Sequence, residues 1–240
     1  PPDPALQRGY VAFSSHALAY TLGDTTPPDL SERFRFGRVD VPDDDYHRAR
    51  KARFFHPNIW PDSVPGFEAA LSDYYRAMET LAATLMRGFA LALDLPETFF
   101  DTAIDRHVTA CAINHYPPQK VPAQAGQLRA GAHSDYGSLT VLKAEDAPGG
   151  LQVRDRAGNW RDVAPVPGTF IVNIGDLMAQ WTNDRWVSTV HRVVNPPADI
   201  AASSARTSLV FFHQPNEDAR VECLPSCQSA ANPPKYPPTT

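Results

Sequence analysis

A histidine and a carboxylate stand two residues apart near the middle of the chain, at His133 and Asp135. The surrounding stretch, residues 132–140, is predicted to be a β-strand, and residues i and i+2 of a strand lie on one face. The two side chains can then reach a common point, where an imidazole and a carboxylate suit a divalent metal ion. A His-x-Asp pair is weak evidence by itself, because such pairs also arise by chance. A metal site needs a third ligand.

His191 is the best candidate for that third ligand. It lies far downstream, in a second predicted strand at residues 188–194, and rigid strands suit a site built from several side chains. Two histidines and one carboxylate on one face of a metal, with the other face open, form the facial triad of non-haem Fe(II) sites. The sequence therefore predicts such a triad, and no catalytic side chain is predicted beyond it.

Two further polar pairs also have i, i+2 spacing on predicted strands. Arg206 and Ser208 share one strand face, and a guanidinium beside a hydroxyl forms a binding site for a carboxylate. Asn114 and Tyr116 share a face of an earlier strand and offer polar tips. We expect Arg206 and Ser208 to bind a carboxylate.

The elements that must position these residues change period along the chain. Residues 66–95 carry apolar side chains at steps of three and four, which predicts a helix with a core-facing stripe. Asp62 or Ser63 is predicted to cap its start and Pro96 to end it. From about residue 107 the period becomes two, and Gly/Pro turns separate short strands. Strands are predicted at residues 9–13, 32–37, 108–116, 139–142, 151–154, 160–163, 169–174, 188–194 and 207–213, and a short helix at 97–101.

Many short strands joined by Gly/Pro turns predict a sandwich or barrel. The expected fold class is mainly β with flanking helices, with a helical segment before the β core. We expect one domain over residues 1–240. It would consist of an irregular and helical part at 1–106, a β core at 107–222 and a tail at 223–240.

The composition excludes several classes of partner. The chain has 240 residues and a formal net charge of -5, and no basic run predicts binding to nucleic acid. No apolar stretch reaches the ~18 residues of a membrane span, and the N-terminus has no secretory signal. The three cysteines are predicted to be free thiols of a cytoplasmic protein. The oligomeric state is not predicted.

Together with their neighbours, these residues resemble the iron- and 2-oxoglutarate-dependent dioxygenase superfamily, and more narrowly its branch with isopenicillin N synthase and plant flavonoid oxygenases. The resemblance rests on the order and spacing of the His133-x-Asp135, His191 and Arg206-x-Ser208 motifs. It extends over about residues 58–240 and implies a double-stranded β-helix, or jelly-roll, fold. The supporting segments are residues 114–117, 149–153, 173–176 and 181–186.

The resemblance implies a role for each residue. Three residues are expected to hold Fe(II): His133, Asp135 and His191. The co-substrate 2-oxoglutarate would chelate the iron and place its distal carboxylate at Arg206 and Ser208. Asn114 and Tyr116 would assist, and O2 would take the remaining position. The expected reaction oxidises a C–H bond of a small-molecule substrate, by hydroxylation or a related step, and releases succinate and CO2.

The substrate pocket is predicted less sharply than the metal site. Four residues are expected to line it: Arg129, Phe212, Leu139 and Trp181. Residues 47–57 mix basic and aromatic side chains and are either a solvated connection or a wall of the pocket. Family members usually have further segments before and after the range of this chain, and these are expected to help form the pocket. The substrate and the type of oxidation are therefore not predicted.

Two alternatives remain open from the sequence. An Fe(II) oxidase similar to isopenicillin N synthase would use the Arg-x-Ser pair for its own substrate and would need no 2-oxoglutarate. A jelly-roll binding module would bind no metal. Oxygen consumption and succinate release, with and without 2-oxoglutarate, separate the first alternative from the leading hypothesis. An Fe(II) titration separates the second.

Overall fold

The computed structural model describes residues 8–147 and 150–240. Pro148 and Gly149 lie outside these ranges. Both belong to a predicted turn, and Gly149 also begins the segment 149–153 that supports the family resemblance. The strands in chain order are β1 Gly9–Val11, β2 Glu32–Gly37, β3 Ala110–Tyr116, β4 Ala130–His133, β5 Leu139–Ala144, β6 Leu151–Arg154, β7 Trp160–Val163, β8 Ile171–Ile174, β9 His191–Val193 and β10 Arg206–His213. The helices are α1 Asp45–Arg50, α2 Phe67–Ala92, α3 Asp101–Ile104 and α4 Asp176–Trp181, with 3-10 turns at Leu18–Leu22, Ala201–Ser203 and Pro225–Cys227.

The strands form two antiparallel sheets. The larger sheet has the order β1-β2-β3-β10-β5-β8, and the smaller sheet has the order β4-β9-β6-β7. Several strands from distant parts of the chain are paired, among them β3 with β10 and β4 with β9, as in a jelly roll. The expected fold class, mainly β with a helical segment before the core, is confirmed. The larger sheet begins earlier than the predicted core, because β1 and β2 extend it at one edge.

Helix α2 covers the outer face of the larger sheet. Its buried side chains recur every three or four residues, so one stripe of the helix faces the sheet. Tyr75 and Met86 are fully buried, and burial of a side chain of this size contributes about 1.5–3 kcal/mol. The Tyr75 ring lies edge-on to Phe211 of β10, with ring centroids 5.1 Å apart. The predicted helix is confirmed, but its cap is not: Gly66, in a left-handed conformation with φ 76, precedes it without a side-chain hydrogen bond.

The strands of the larger sheet present opposite side chains to the helix and to the interior. Leu139 and Val141 of β5 and Phe211 of β10 belong to the core beneath α2 and have no exposed surface. Thr140 and Leu142, which alternate with them, point to the other face and line a cavity. The sheet is therefore buried on both faces, with the helix on one side and the cavity on the other.

Two helices of the structure were not predicted, and one predicted strand ends early. Helix α1 lies within a stretch that was predicted to be irregular. The Asp44 side chain caps this helix by accepting from the His47 N–H. Helix α4 follows β8 directly. Strand β4 ends at His133, so Asp135 lies beyond the strand that was expected to carry both residues. None of the described helices combines the length and the apolar character that crossing a membrane requires.

Candidate metal centre and its cavity

Strand pairing in the smaller sheet brings two histidines side by side. His133, the last residue of β4, is the register partner of His191, the first residue of β9. The register shifts between Ala130 and His133, which is typical of a strand that is bent towards a site. The two imidazole centroids are 4.3 Å apart. The sequence separates these residues widely, and the sheet alone makes them neighbours.

Asp135 reaches the same point from the loop after β4. Its backbone carbonyl accepts from the Asp176 N–H at the start of α4, at 2.7 Å. Its Oδ2 atom accepts from the Asn173 amide at 2.8 Å. The other carboxylate oxygen, Oδ1, lies 3.8 Å from Nε2 of His191 and 4.0 Å from Nε2 of His133. Backbone and side-chain bonds thus aim one oxygen of a buried carboxylate at both rings.

Both imidazoles present a free nitrogen lone pair to this carboxylate oxygen. Nδ1 of His133 donates to the Gly131 carbonyl at 2.7 Å, and Nδ1 of His191 donates to the Thr189 carbonyl at 3.0 Å. A carbonyl can only accept, so in each neutral ring the proton sits on Nδ1 and Nε2 is unprotonated. A backbone acceptor behind the ring is the usual way to orient a metal-binding histidine.

Burial keeps the first histidine neutral. It lowers the pKa of His133 to about 4, and the neighbouring His191 adds to the shift. At neutral pH this ring is therefore a ligand rather than a cation. The three ligand atoms of His133, Asp135 and His191 lie within 4.8 Å of one another, and no other group of three such residues converges in the described ranges. Two imidazoles and one carboxylate with an open face suit a divalent transition metal.

A cavity of about 620 Å³ opens beside this cluster, between the two sheets. Strands β3 and β10 of the larger sheet supply its polar end. Tyr116 pairs with Arg206, and Asn114 pairs with Ser208, in the antiparallel register. All four side chains line the cavity. The two i, i+2 pairs predicted from the sequence therefore lie side by side, facing the same space as the histidines.

The guanidinium of Arg206 dominates the electrostatics of that end. The residue is only 4% exposed, and burial lowers the pKa of its guanidinium. Its Cζ atom lies 5.6 Å from the centroid of the Tyr116 ring. Burial also raises the pKa of Tyr116, while Arg206 and Ser208 oppose that shift. A buried cation with hydroxyl groups beside it stabilises a carboxylate.

The structure corrects three of the four expected substrate-pocket residues. Phe212 lines the cavity. Leu139 and Trp181 are part of the core on the far side of the larger sheet. Leu139 alternates with the cavity-facing Thr140, so the expected strand face was wrong by one residue, and Trp181 ends a helix packed into the core. Arg129 is 1% exposed and donates through Nη2 to the carbonyl and hydroxyl oxygens of Ser204, at 2.5 and 2.8 Å.

The N-terminal part of the chain forms a wall of the cavity that was not predicted from the sequence. In β2, arginine alternates with Phe34 and Phe36, a pattern that could have shown that one face of this strand is cationic. Phe54, from the basic and aromatic stretch 47–57, also lines the cavity, which favours the wall rather than the solvated connection. Four arginines from the N-terminal part line the cavity: Arg8, Arg33, Arg35 and Arg53. Asn173, which donates to Asp135, lies in a segment that supports the family resemblance, but no role was predicted for it.

Comparisons with known proteins agree with this geometry. The family model described as "2OG-Fe(II) oxygenase superfamily" matches residues 108–215. A 2-oxoglutarate-Fe(II) type oxidoreductase from Aspergillus fumigatus is 37% identical over 243 residues, which covers 100% of this chain and 68% of the relative. The proline hydroxylase buaE from Petromyces alliaceus is 32% identical over 243 residues, covering 98% of this chain and 72% of the relative.

A solved structure has the same fold. A full-length protein from Neurospora crassa, crystallised in complex with alpha-KG, superposes with a TM-score of 0.80 at 32% sequence identity. The match covers 99% of this chain and 70% of that protein. The chain thus spans about two thirds of the length of the relatives that it matches.

Proposed function

Because this chain belongs to the 2OG-Fe(II) oxygenase superfamily, we propose that His133, Asp135 and His191 hold its catalytic Fe(II). The enzyme is a non-haem Fe(II)- and 2-oxoglutarate-dependent dioxygenase that oxidises a C–H bond of a small molecule. The observation that carries the assignment is the convergence of three ligand atoms within 4.8 Å. Both imidazoles are oriented by backbone carbonyls and the carboxylate by Asn173, so the residues present fit the metal.

The polar end of the cavity is the 2-oxoglutarate site. We assign its distal carboxylate to Arg206 and Ser208, with Asn114 and Tyr116 beside them. A guanidinium binds a carboxylate through charge-assisted hydrogen bonds, and the low exposure of Arg206 protects these bonds from water. The chain thereby orients the co-substrate so that its 2-oxo acid end faces the histidines. The larger sheet contributes the carboxylate site, and the smaller sheet with its loop contributes the metal ligands.

The overall reaction consumes one O2 and one 2-oxoglutarate for each substrate molecule. When bound, Fe(II) supplies the activation of O2. In a hydroxylation, one oxygen atom enters the substrate C–H bond and the other enters the succinate that forms as CO2 leaves. The protein residues hold the metal, orient the co-substrate and surround both with a cavity between two sheets. Apolar cavity residues, Val210 and Phe212 of β10 among them, limit the access of water.

An anaerobic Fe(II) titration followed by a succinate assay tests this function. We expect the wild-type protein to bind one Fe(II) per chain and to release succinate only when both Fe(II) and 2-oxoglutarate are present. The His133→Ala variant should lose Fe(II) binding, because the metal site would keep only two protein ligands. His56→Ala is a matched control, since this histidine bonds the Ala52 carbonyl and is not part of the cluster.

Two outcomes would contradict the proposal in different ways. Oxygen consumption without 2-oxoglutarate, and without succinate, would indicate an oxidase similar to isopenicillin N synthase. Fe(II) binding that is the same in His133→Ala as in wild type would remove His133 from the metal site and would favour a binding module.

We also propose that the enzyme works in the cytoplasm. The support is that Cys111, Cys223 and Cys227 are free thiols, as expected in a reducing compartment. Burial raises the pKa of Cys111 well above its usual range, so this thiol stays protonated and unreactive. Fractionation of the source cells with detection by antibody tests the location, and recovery in a secreted fraction would contradict it.

A further inference from the structure

We propose that this site is specific for a substrate that carries a carboxylate, bound by Arg33 and Arg35 of strand β2. The inference rests on the proposed function and adds to it the chemical class of the substrate. The arginines line the cavity from the same sheet as the apolar side chains of β10 and β5. The substrate is therefore a small organic acid with an apolar body.

Strand β2 places both arginines in the cavity. Phe34 and Phe36, which alternate with them, pack on the other face of the strand against the aromatic core. The Phe34 ring lies 5.9 Å from Trp60, and the Phe36 ring lies 6.1 Å from Tyr75. This packing fixes the direction of the strand, so Arg33 and Arg35 cannot turn to solvent without moving two core phenylalanines. Burying two positive charges on the inner face of a strand lowers the stability of the protein unless an anion in the cavity compensates them.

Neither arginine finds a carboxylate within the described part of the chain. The ion pairs of the described residues include neither guanidinium, and the Nε atom of each is buried without a hydrogen-bond partner. Burial lowers the pKa of Arg35 to about 10, and the nearby Arg33 and Arg8 add to this shift. Burial likewise lowers the pKa of Arg33. Two partly buried cations side by side repel each other, so an anion between them is strongly favoured.

Three other charged groups in or near the cavity have separate roles. Asp135, the one carboxylate among the described lining residues, faces the histidines. The nearby Asp29 lies behind the wall, where it accepts from the Leu18 and Gly131 N–H groups. Arg206 is assigned to the co-substrate, and the charges of Fe(II) and the 2-oxoglutarate dianion cancel. Burial lowers the pKa of Arg33, but the charge of Asp29 opposes this shift and so offsets part of the positive charge of Arg33. Arg35 forms no ion pair among the described residues, and its positive charge remains with metal and co-substrate bound.

The register of the larger sheet separates this cationic site from the co-substrate site. Arg33 pairs with Asn114, and Asn114 pairs with Ser208, so Arg33 and Ser208 are two strands apart. Two strand spacings are about 10 Å, which is enough for two carboxylates to bind at once. Arg33 and His133 line the same cavity. A molecule whose carboxylate is held by Arg33 and Arg35 thus extends its body past the metal ligands.

A binding experiment with charge-matched probes tests this inference. The anaerobic Fe(II)–2-oxoglutarate complex of the whole chain is titrated calorimetrically with benzoate, phenylacetate and cinnamate, and with the primary amide of each. The amides keep the size and shape of the acids and remove the charge. We expect at least one acid to bind tenfold or more tightly than its amide. Arg35→Gln should abolish that preference, and Arg35→Lys should retain part of it because it keeps the charge.

Controls separate this inference from the proposed function and from misfolding. Arg161→Gln, at an exposed arginine paired with Asp155, should keep the wild-type preference for acids. Far-ultraviolet circular dichroism establishes that the variants are folded. If no acid binds more tightly than its amide, or if Arg35→Gln keeps the preference, the inference is wrong while the oxygenase assignment stands. Failure of the wild-type protein to form the Fe(II)–2-oxoglutarate complex would instead contradict the proposed function.

Discussion

The Asp135 side chain has one oxygen for the metal because Asn173 occupies the other. The Asn173 amide donates to Oδ2 at 2.8 Å, and this bond leaves Oδ1 directed at both histidines. Such hydrogen bonds behind a ligand typically account for 10–100-fold in metal affinity. Asn173, on strand β8, is thus a positioning residue for a ligand in the loop after β4.

Replacing this amide should weaken the metal site without removing a ligand. We expect Asn173→Ala to raise the Kd for Fe(II) by about 10–100-fold, with a smaller change in the KM for 2-oxoglutarate. Anaerobic Fe(II) titration measures the first quantity and succinate formation the second. Asn159→Ala, in an exposed turn, is the control and should bind Fe(II) as the wild type does. An unchanged Kd in Asn173→Ala would show that Asp135 is oriented by its backbone alone.

Arg206 is the second residue whose role can be separated by kinetics. In the proposed function, Arg206→Ala removes a charge-assisted pair with the distal carboxylate of 2-oxoglutarate, and such a pair contributes about 1.5–3 kcal/mol. We therefore expect the KM for 2-oxoglutarate to rise at least tenfold, with Fe(II) affinity retained. Succinate formation at varied 2-oxoglutarate concentrations measures the effect. An unchanged KM would mean that the co-substrate binds elsewhere, and Arg220→Ala, at an exposed arginine paired with Glu222, is the control for loss of a positive charge.

At the scale of elements, the loop that carries Asp135 is held by close backbone contacts with the start of α4. The Gly175 N–H donates to the Ser138 carbonyl at 3.1 Å, and the Asp176 N–H donates to the Asp135 carbonyl at 2.7 Å. A Cβ atom at Gly175 would overlap the Gly137 carbonyl. Helix α4, which the sequence analysis did not predict, therefore sets the position of a metal ligand.

Two glycine substitutions should change the stability of the protein in opposite directions. Gly175→Ala should destabilise the protein by about 1–3 kcal/mol, the usual cost of forcing extra atoms into a packed site, and should weaken Fe(II) binding. Gly88→Ala, on the exposed side of α2 where a Cβ meets nothing within 4 Å, should stabilise it by about 1 kcal/mol. Urea unfolding measures both. Equal stability of the two variants would contradict the proposed backbone contact.

At the scale of the whole molecule, burial of histidines makes stability depend on pH. Burial lowers the pKa of His16 and of His133 to about 4. Burial also lowers the pKa of His213 to about 3. This ring is buried, and its Nδ1 atom lies 2.6 Å from the Ser138 hydroxyl oxygen. An unfolded histidine titrates near pH 6.5. Below that pH the unfolded chain binds more protons than the folded one, so stability falls as the pH is lowered.

The slope of this dependence is the quantity to measure. Between pH 6.5 and about 4, each such histidine should remove about 1.4 kcal/mol of unfolding free energy per pH unit. The His213→Asn variant should be less stable at neutral pH. Its unfolding free energy should also depend less steeply on pH, because the variant takes up about one proton fewer on unfolding. Urea unfolding of the metal-free protein from pH 7.5 to pH 4 checks both. A wild-type slope in this variant would exclude His213 as a source of the effect.

Helix and strand positions follow in large part from residue types and their periodicity along the chain. The α2 stripe and most β-strands could be predicted because burial imposes periods of about 3.6 and of 2 on a helix and a strand. The family resemblance added the roles of His133, Asp135, His191, Arg206 and Ser208. Their order and spacing are local properties of the chain, so no tertiary information was needed to identify them as candidates.

The three-dimensional packing of the chain determines which strand face meets the cavity and which distant segments share it. Leu139 was assigned to the wrong face because β5 is buried on both faces, so an apolar side chain does not indicate which face meets the cavity. Trp181 and Arg129 were misplaced because helix ends and buried arginines leave no periodic signal. The inward direction of Arg33 and Arg35 depends on where Phe34 and Phe36 pack. That choice is made by contacts with Trp60 and Tyr75, which are distant in the sequence and adjacent only in the fold.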